Sequence, residues 1–270
     1  MAGSDTLFAG SIPEIYDRLL VPLIFESYAR DLAKRLARLE PQDVLELAAG
    51  TGVLTRAIAS RLPSRTRIVA TDLNQPMLDH AAARQLVDSR ITWQQADAQA
   101  IPLEGQRFDV VCCQFGVMFF PDRLQAYRET HRVLRSGGSF FFNVWDRISE
   151  NEFADAVTQA LAVVFPKNPP RFLARTPHGY HDLDQIKDEL IEAGYAKISI
   201  DAVEAKSTAS APIDAAIAYC QGTPLRNEIE ARQAAGLEDA TKAAAEALAR
   251  RFGKGPIEGR IRAHIVTATC

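Results

Sequence analysis

The sequence has neither an excess of basic residues nor a long hydrophobic run. Its 31 Lys and Arg residues face 34 Asp and Glu residues, so the formal net charge is -3. Proteins that neutralise a phosphate backbone need a surplus of Lys and Arg, and we therefore expect no nucleic-acid partner. No segment approaches the roughly 18 apolar residues of a membrane span, and the start, MAGSDTLFAG, lacks the regions of a secretory signal. We expect a cytoplasmic protein.

Cysteine is also scarce, and its spacing matches no known metal or disulfide pattern. The four cysteines are Cys112 and Cys113, adjacent in an apolar run, then Cys220 and Cys270. Zinc sites and disulfide frameworks need closely spaced or paired cysteines. We therefore predict no metal site and interpret these side chains as buried or incidental thiols.

The order of the predicted elements is typical of an α/β protein. With 270 residues, of which 47% are hydrophobic, the chain is large enough for one or two domains. The first forty residues have helical spacing, with a predicted break at Pro22. Short apolar or β-branched runs then alternate with helical patterns, which favours a doubly wound, mostly parallel sheet. The predicted strands cover Asp43 to Leu47, Arg67 to Thr71, Arg90 to Gln94, Phe108 to Phe115 and Gly138 to Trp145.

The pattern changes after Trp145. Ser149 and Glu152 predict a capping box for one helix, and Asp182 predicts the cap of another that ends at Gly194. Two alternating segments, YAKISIDAVEA and RIRAHIVTATC, predict a sixth and a seventh strand at an antiparallel edge of the sheet. Between them, the Ala-rich helical stretch from Pro212 to Gly253 is interpreted as a lid.

The stretch VLELAAGTG, from Val44 to Gly52, predicts a buried strand that turns through glycines into a helix. Such a turn presents free backbone amides and a helix N-terminus to a ligand, which is a general device for binding nucleotides. On its own, the pattern is equally consistent with an ordinary strand-to-helix turn.

Acidic residues end three successive predicted strands. Glu46 lies near the end of the first predicted strand, Asp72 follows the second strand and lies 20 residues after Gly52, and Asp97 follows the third strand. An acid at the second of these positions can reach ribose hydroxyls. Each acid alone is consistent with a solvated loop or a helix cap. Together they predict a ligand crevice at the carboxyl edge of the sheet.

The order of these motifs resembles the class I S-adenosylmethionine-dependent methyltransferases, in the branch similar to the ubiquinone and menaquinone C-methyltransferases. The segments that carry the resemblance are VLELAAGTG, ATDLNQPML, QADAQAIPL, FDVVCCQFGVMFFPD and HRVLRSGGSFFF. It implies a Rossmann-like methyltransferase fold with seven strands, N-terminal helices and a helical lid. It also implies S-adenosyl-L-methionine as cofactor and a small-molecule methyl acceptor. The implied parts are an N-terminal helical cap (1–40), a cofactor-binding core (41–146) and the remaining strands with the inserted lid (147–270), within one structural domain.

The resemblance also implies which residues bind the cofactor. They are Tyr16, Glu46, Ala48, Gly50, Gly52, Asp72, Leu73, Met77, Asp97, Ala98, Gln114 and Phe115. In the family, the acid at the Glu46 position faces the methionine end, whose ammonium a carboxylate attracts. The acid at the Asp72 position holds the ribose hydroxyls.

The remaining positions surround the adenine and the sulfonium. By resemblance, Asp97 and the backbone of Ala98 face the adenine edge, and Leu73 and Met77 pack on its ring. Gln114 and Phe115 flank the methionine portion and the sulfonium, and Tyr16 closes the pocket. Ala48 departs from the family, which usually has a glycine there. Its methyl would crowd a pyrophosphate, and S-adenosylmethionine has none.

Two other functions share parts of this pattern. A nicotinamide-dependent oxidoreductase also combines a glycine turn with an acid about 20 residues further on, but its third glycine would lie at position 55, which is Thr55 here. A non-catalytic regulatory protein could bind the cofactor with the same fold and show no turnover. Both stay open as alternatives to a methyltransferase.

Candidates for a general base lie in PHGYHD, where His178, Tyr180 and His181 are close together. An imidazole accepts a proton near neutral pH. The same segment is also consistent with a simple turn into the helix that Asp182 caps. The apolar GVMFFP segment after the fourth strand would either line an acceptor pocket or cover the core, and it indicates an apolar or aromatic acceptor. The sequence does not indicate the oligomeric state.

Overall fold

The computed structural model describes residues 12–232 and 235–270. The described chain divides into two compact units. The helical unit comprises 12–25, 145–180, 203–232 and 235–263, and the sheet unit comprises 26–144, 181–202 and 264–270. Within the described ranges, no helix has the length and the apolar character needed to cross a membrane. Residues 1–11 of the predicted cap and residues 233–234 of the predicted lid lie outside the described residues.

Seven strands form one sheet in the order β3-β2-β1-β4-β5-β7-β6. Their bounds are β1 Asp43–Glu46, β2 Arg67–Asp72, β3 Ile91–Gln95, β4 Phe108–Gln114, β5 Leu134–Trp145, β6 Lys197–Ala209 and β7 Ile257–Thr269. The first five strands pair in parallel. The strand order reverses between β1 and β4, and ligands of such sheets bind outside the carboxyl ends of the strands at that point. The predicted α/β fold with seven strands is confirmed.

The last strand runs antiparallel to its neighbours. The Asp146 amide donates to the Arg262 carbonyl, and the Cys270 amide donates to the Gly138 carbonyl, so residue numbers rise in opposite directions along β5 and β7. The Ala196 amide donates to the Thr269 carbonyl next to the start of β6. The predicted antiparallel edge is therefore confirmed.

Helices fill the connections. They are α1 Ile12–Ile15, α2 Glu26–Ala37, α3 Val53–Ala59, α4 Gln75–Arg84, α5 Arg123–Val133, α6 Glu152–Val164, α7 Phe172–Arg175, α8 Leu183–Glu192, α9 Pro212–Gln221, α10 Leu225–Glu230 and α11 Leu237–Phe252. A π-helical segment, Tyr16–Phe25, joins α1 to α2, and single 3₁₀ turns cover Val117–Phe119 and Ile148–Glu150.

The sheet unit buries apolar side chains at the spacing that the sequence predicts. Leu32 and Leu36 of α2 are fully buried, and so are Phe140 and Phe142 of β5. The Asp182 carboxylate caps α8 by accepting from the amides of its first turn, and the chain leaves that helix through Gly194, whose φ is +104°. Both ends of α8 are as predicted.

The helical unit packs its long helices on one another. Helix α11 packs against α6 and α9, and the Phe153 and Phe252 rings meet edge to face with centroids 4.9 Å apart. The predicted Ala-rich helical insertion between β6 and β7 is present as α9, α10 and α11. Its role as a lid stays a prediction.

Two local predictions are wrong. The chain does not break at Pro22, because the π-helical segment Tyr16–Phe25 accommodates this proline, which has no amide proton to donate. Ser149 does not cap α6, because it lies in the preceding 3₁₀ turn and Asn151 occupies the N-cap position. The carboxylate of Glu152 instead accepts from the Arg260 amide at 2.7 Å.

Candidate functional site

Glu46 is a buried acid at the carboxyl end of β1. Its side chain is 1% exposed. The Thr55 hydroxyl on α3 donates to its Oε2 atom at 2.6 Å. Burial raises the pKa of Glu46 to about 8, although the Thr55 hydrogen bond and the positive charge of Arg56 oppose that shift. At neutral pH the free protein therefore holds this carboxyl mostly protonated, and an added cation would favour its ionisation.

Asp43, at the other end of the same strand, is a buried acid with a different electrostatic environment from that of Glu46. Asp43 is also buried, but Arg67 and Arg135 pair with its carboxylate at 2.6 and 3.0 Å. The Arg67 hydrogen bond is the largest of the effects that lower the pKa of Asp43. Arg56, the cation that acts on Glu46, donates instead to the Thr51 carbonyl at 2.7 Å. Among residues 12–232 and 235–270, Glu46 thus has no salt bridge of the kind that Asp43 makes.

Asp72 ends β2 and binds the glycine turn. Its Oδ2 atom accepts from the Gly50 amide at 2.9 Å, and its Oδ1 atom accepts from the Asn74 amide at 2.8 Å. Burial raises the pKa of Asp72, and these amide hydrogen bonds counteract it. Asn74 occupies the N-cap position of α4, but its side chain makes no capping hydrogen bond. Each carboxylate oxygen can still accept a further hydrogen bond, for example from a hydroxyl.

The turn after β1 requires unusual backbone conformations. Ala48, Gly50 and Gly52 have φ values of +52°, +57° and +80°. A Cβ at Gly52 would approach the Ala81 Cβ and the Trp93 ring to 3.1 Å, whereas a Cβ at Gly50 would meet only the Met77 Cε, at 3.7 Å. Gly52 is therefore required by packing and conformation, and Gly50 mainly by its conformation.

Ala48 packs against the loop that follows β4. A Cβ added at Gly116 would lie 2.6 Å from the Ala48 Cβ and 2.6 Å from the Cys113 sulfur. The alanine methyl therefore fills space that Gly116 leaves open, at the point where the loops after β1 and β4 meet. This contact explains how the turn accepts alanine at a position where the family usually has glycine.

The turns after β2 and β3 are joined by hydrogen bonds. The Ala96 amide donates to the Asp72 carbonyl at 3.0 Å, and the Gln95 side chain donates to the Leu73 carbonyl at 2.8 Å. Beyond them, the Asp97 carboxylate accepts from the Gln99 amide at 2.9 Å.

The apolar side chains near these turns differ in exposure. Leu73 is 50% exposed, Met77 is buried and Ala98 is buried. Leu73 is therefore the one of these three side chains that is accessible from the surface.

Gln114 and Phe115 follow at the end of β4. Phe115 has a φ of +52°, and its ring meets the Tyr28 ring edge to face at 5.3 Å. The register pairs Gln114 with Asn143 on β5 and Cys112 with both Glu46 and Phe141. Because side chains alternate along a strand, Gln114 and Asn143 lie on the same sheet face as Glu46, one row nearer the carboxyl edge.

Two residues at this site were missed by the sequence interpretation. Thr55 was considered only as an absent glycine, although its hydroxyl binds Glu46. Asn143 was missed although it is the single polar side chain within FFFNVW, which is a detectable signal in a buried strand.

The other predicted site residues are divided between the units. Tyr16, His178 and Tyr180 belong to the helical unit, and His181 belongs to the sheet unit. Tyr16 stacks on Phe25 with centroids 5.2 Å apart. His178 is buried, and its Nδ1 atom lies 2.9 Å from the Asp146 carbonyl oxygen. A carbonyl only accepts, so this contact places the proton of a neutral ring on Nδ1 and leaves Nε2 as the basic atom. The catalytic roles stay predictions.

No cluster of three or more His, Cys, Asp or Glu side chains that could hold a metal occurs within residues 12–232 and 235–270.

Comparison with known proteins gives a consistent family. Residues 44–138 match a methyltransferase domain family. The ubiquinone/menaquinone biosynthesis C-methyltransferase UbiE of Laribacter hongkongensis is 30% identical over 164 residues, which cover 57% of this chain and 67% of that protein. The enzyme of the same name from Pseudomonas aeruginosa is 28% identical, over 58% of this chain and 66% of the relative. The aligned region thus spans about two thirds of the length of these relatives.

Solved structures support the same fold at lower identity. The YcgJ protein of Bacillus subtilis superimposes with a TM-score of 0.57 at 16% identity, covering 90% of this chain and 98% of that one. A SAM-dependent methyltransferase from Aquifex aeolicus gives a TM-score of 0.52 at 16% identity, covering 72% and 90%. At this identity the likeness concerns the fold alone.

Proposed function

We propose that this chain, which belongs to the class I S-adenosylmethionine-dependent methyltransferases, methylates a small acceptor of apolar or aromatic character. Membership of the family gives the cofactor and the reaction. The acceptor, and the part that each residue plays, are our inference. The observation that carries it is the pair of buried acids, Glu46 and Asp72, at the carboxyl ends of adjacent strands.

The residues around these acids fit the cofactor. S-adenosylmethionine supplies an electrophilic methyl group on a sulfonium, and it also carries an ammonium and two ribose hydroxyls. Glu46, whose burial raises its pKa to about 8, gains a favourable partner when an ammonium binds. Asp72, already oriented by the Gly50 and Asn74 amides, retains acceptor capacity for the ribose hydroxyls.

The adenine would lie between apolar side chains and the turn after β3. Exposed Leu73 and buried Met77 provide the apolar contact, and the Asp97 turn, held by Gln99, provides polar atoms at the ring edge. These assignments follow the family motif residue by residue. The positions in the helical unit, including Tyr16, are proposed on the motif alone.

The loop after β4 and the names of the relatives support the proposed acceptor class. Val117 and Met118 are buried and follow Gln114 and Phe115 after one glycine, so the chain leaves the switch point through an apolar segment. The relatives in the comparison are named C-methyltransferases of ubiquinone and menaquinone biosynthesis. For the present chain we propose from these names only that the acceptor is a small aromatic molecule. We propose that it is a free molecule in the cytoplasm and not part of a nucleic acid.

The chain can promote such a transfer largely by orientation. Holding two reactants in line can supply roughly 7 to 11 kcal/mol, whereas a general base adds about 10² to 10⁴-fold in rate. The backbone of the turn from Ala48 to Gly52, which is held by a hydrogen bond to Asp72, is suited to orienting the cofactor. His178 is our candidate for the general base.

Turnover on a panel of acceptors tests this proposal. The protein is incubated with S-adenosylmethionine and with phenols, quinols, hydroxybenzoates, aliphatic amines and nucleosides, and release of S-adenosylhomocysteine is measured. We expect release with aromatic acceptors and loss of it in Asp72→Ala. Tight cofactor binding with no turnover on any compound would favour the non-catalytic alternative. Turnover with amines or nucleosides alone would contradict the acceptor class.

A further inference from the structure

Asn143 on β5 has a buried carboxamide without a partner. The side chain is 0% exposed, and neither Nδ2 nor Oδ1 has a hydrogen-bond partner in the part of the chain that the structure describes. A buried polar group that is left without a hydrogen bond destabilises the folded state. A leucine, which has the same branching but no polar atoms, would avoid this destabilisation. The strand therefore carries a polar group that its own packing does not explain.

Its position points to a ligand. The register pairs Asn143 with Gln114, and both lie one row beyond Cys112 and Phe141 toward the carboxyl edge. On β2, Ala70 pairs with Glu46, and Asp72 lies two residues beyond Ala70. Asp72 is therefore in the same row as Gln114 and Asn143. All these strands are parallel, and side chains two residues apart share a face. Asp72, Gln114 and Asn143 thus follow one another along one face in the strand order β2, β1, β4, β5.

That order assigns Asn143 to the acceptor rather than to the cofactor. On the proposed function, Asp72 binds the ribose and Gln114 lies beside the methionine portion. The next polar side chain in the same direction is Asn143. The Tyr195 hydroxyl is also buried and has no hydrogen-bond partner within the described residues. It lies among aromatic rings, with its ring 5.2 Å from that of His131, and so does not share this position.

The hydrogen-bonding capacity of a carboxamide indicates the group that it binds. Nδ2 donates and Oδ1 accepts, so both need partners. A carbonyl would satisfy only Nδ2, and an ammonium only Oδ1. A hydroxyl both donates and accepts. A single phenol or enol hydroxyl can therefore accept from Nδ2 and donate to Oδ1. Alternatively, it can donate to Oδ1 while a carbonyl next to it accepts from Nδ2.

We propose that Asn143 binds the methyl acceptor through a phenolic or enolic hydroxyl close to the methylated atom, and so selects hydroxylated rings. This inference rests on the proposed function and adds a residue that determines specificity. It also narrows the acceptor class from aromatic molecules in general to those that carry a hydroxyl group.

Nuclear magnetic resonance on the whole protein with S-adenosylhomocysteine tests it without turnover. The probes are p-cresol and its methyl ether, 4-methylanisole, which differ only by the hydroxyl proton and the methyl group. We expect p-cresol, but not the ether, to shift the side-chain amide signals of Asn143. The proposal would be overturned if saturating p-cresol left the Asn143 signals unchanged, or if both probes shifted these signals equally.

Variants give a second measurement. Asn143→Leu removes the carboxamide and keeps the same side-chain branching. Tyr195→Phe is the matched control, since it removes a buried hydroxyl that has no hydrogen-bond partner among the described residues and lies elsewhere in the sheet unit. We expect at least tenfold weaker p-cresol binding in Asn143→Leu, unchanged affinity for S-adenosylhomocysteine, and no change of either in Tyr195→Phe. If Asn143→Leu does not fold, the smaller Asn143→Val, whose side chain also has no donor or acceptor, replaces it with the same expectation.

The outcomes separate this inference from the proposed function. Equal p-cresol affinity in wild type and variant, with S-adenosylhomocysteine still bound, would overturn the role of Asn143 alone. A long-lived water detected at the Asn143 amide, unchanged by p-cresol, would also overturn it, because the carboxamide would then be satisfied structurally. Failure of the wild-type protein to bind S-adenosylhomocysteine would instead contradict the proposed function itself.

Discussion

The Thr55 hydroxyl donates to the Glu46 carboxyl across the glycine turn, at 2.6 Å. Thr55 stands where the nicotinamide fingerprint would have its third glycine, which allows close packing of helix and strand. Here the same position carries a side chain that reaches back to the end of β1. The turn is thus built around a buried acid, and a buried acid suits a cationic ligand better than a pyrophosphate.

Replacing Glu46 with glutamine should stabilise the free protein at alkaline pH. The folded pKa of about 8 lies above the ordinary value of 4.5, so the folded state binds more protons between these values and stability falls as pH rises through them. The free energy of unfolding is measured with denaturant and without cofactor for wild type and Glu46→Gln. We expect the value of the variant minus that of wild type to be about 2 to 4 kcal/mol larger at pH 9 than at pH 5. Parallel pH profiles for the two proteins would exclude the raised pKa.

Cofactor binding should release a proton near neutral pH. Glu46 is mostly protonated in the free protein at pH 7, and pairing with the ammonium of S-adenosylmethionine would ionise it. Titration calorimetry in buffers of different ionisation enthalpy should therefore show release of up to one proton per site, and none in Glu46→Gln. Equal release in wild type and variant would assign the proton to another group.

Gly50→Val should weaken cofactor binding while the protein stays folded. The valine would adopt a φ near +57°, at a cost of roughly 1 to 2 kcal/mol or more, and would displace the amide that donates to Asp72. Gly137→Val is the matched control, because Gly137 has a φ of +77° with no atom within 4 Å of an added Cβ. We expect at least tenfold weaker cofactor binding in Gly50→Val and unchanged binding in the control. Equal affinity in both variants would remove the turn from the site.

His178→Asn should slow methyl transfer more than it weakens cofactor binding. The asparagine amide can still donate to the Asp146 carbonyl, which accepts from Nδ1 in wild type, but it cannot act as a base. Loss of a general base would lower kcat by about 10² to 10⁴-fold. His181→Asn serves as the comparison for the second histidine of PHGYHD. An unchanged kcat in His178→Asn would remove His178 from the mechanism, and the same test applies to Tyr180→Phe.

Much of the sheet and several site residues could be predicted from short sequence patterns. Buried strands such as Val110 to Cys113 are continuous apolar runs, and acids at their ends stand out against small residues. Asp72 and Gly50 were predicted in one site and are joined by a hydrogen bond.

Other features depend on contacts that sequence spacing does not encode. The side chain that satisfies Glu46 comes from the helix after the turn, and a rule about glycines does not reveal it. The path through Pro22 depends on a π-helical segment, and Asn151 rather than Ser149 occupies the N-cap because a 3₁₀ turn precedes α6. These are tertiary or backbone effects that override local propensity.

The most direct test of the account is a calorimetric titration of S-adenosylmethionine into wild type, Asp72→Ala and the control Asp79→Ala, which removes an exposed acid from α4. With folding checked by circular dichroism, we expect saturable one-to-one binding to wild type and to the control, and at least tenfold weaker binding to Asp72→Ala. Absence of saturable binding to wild type, or equal affinity in all three proteins, would contradict a cofactor site at the ends of β1 and β2.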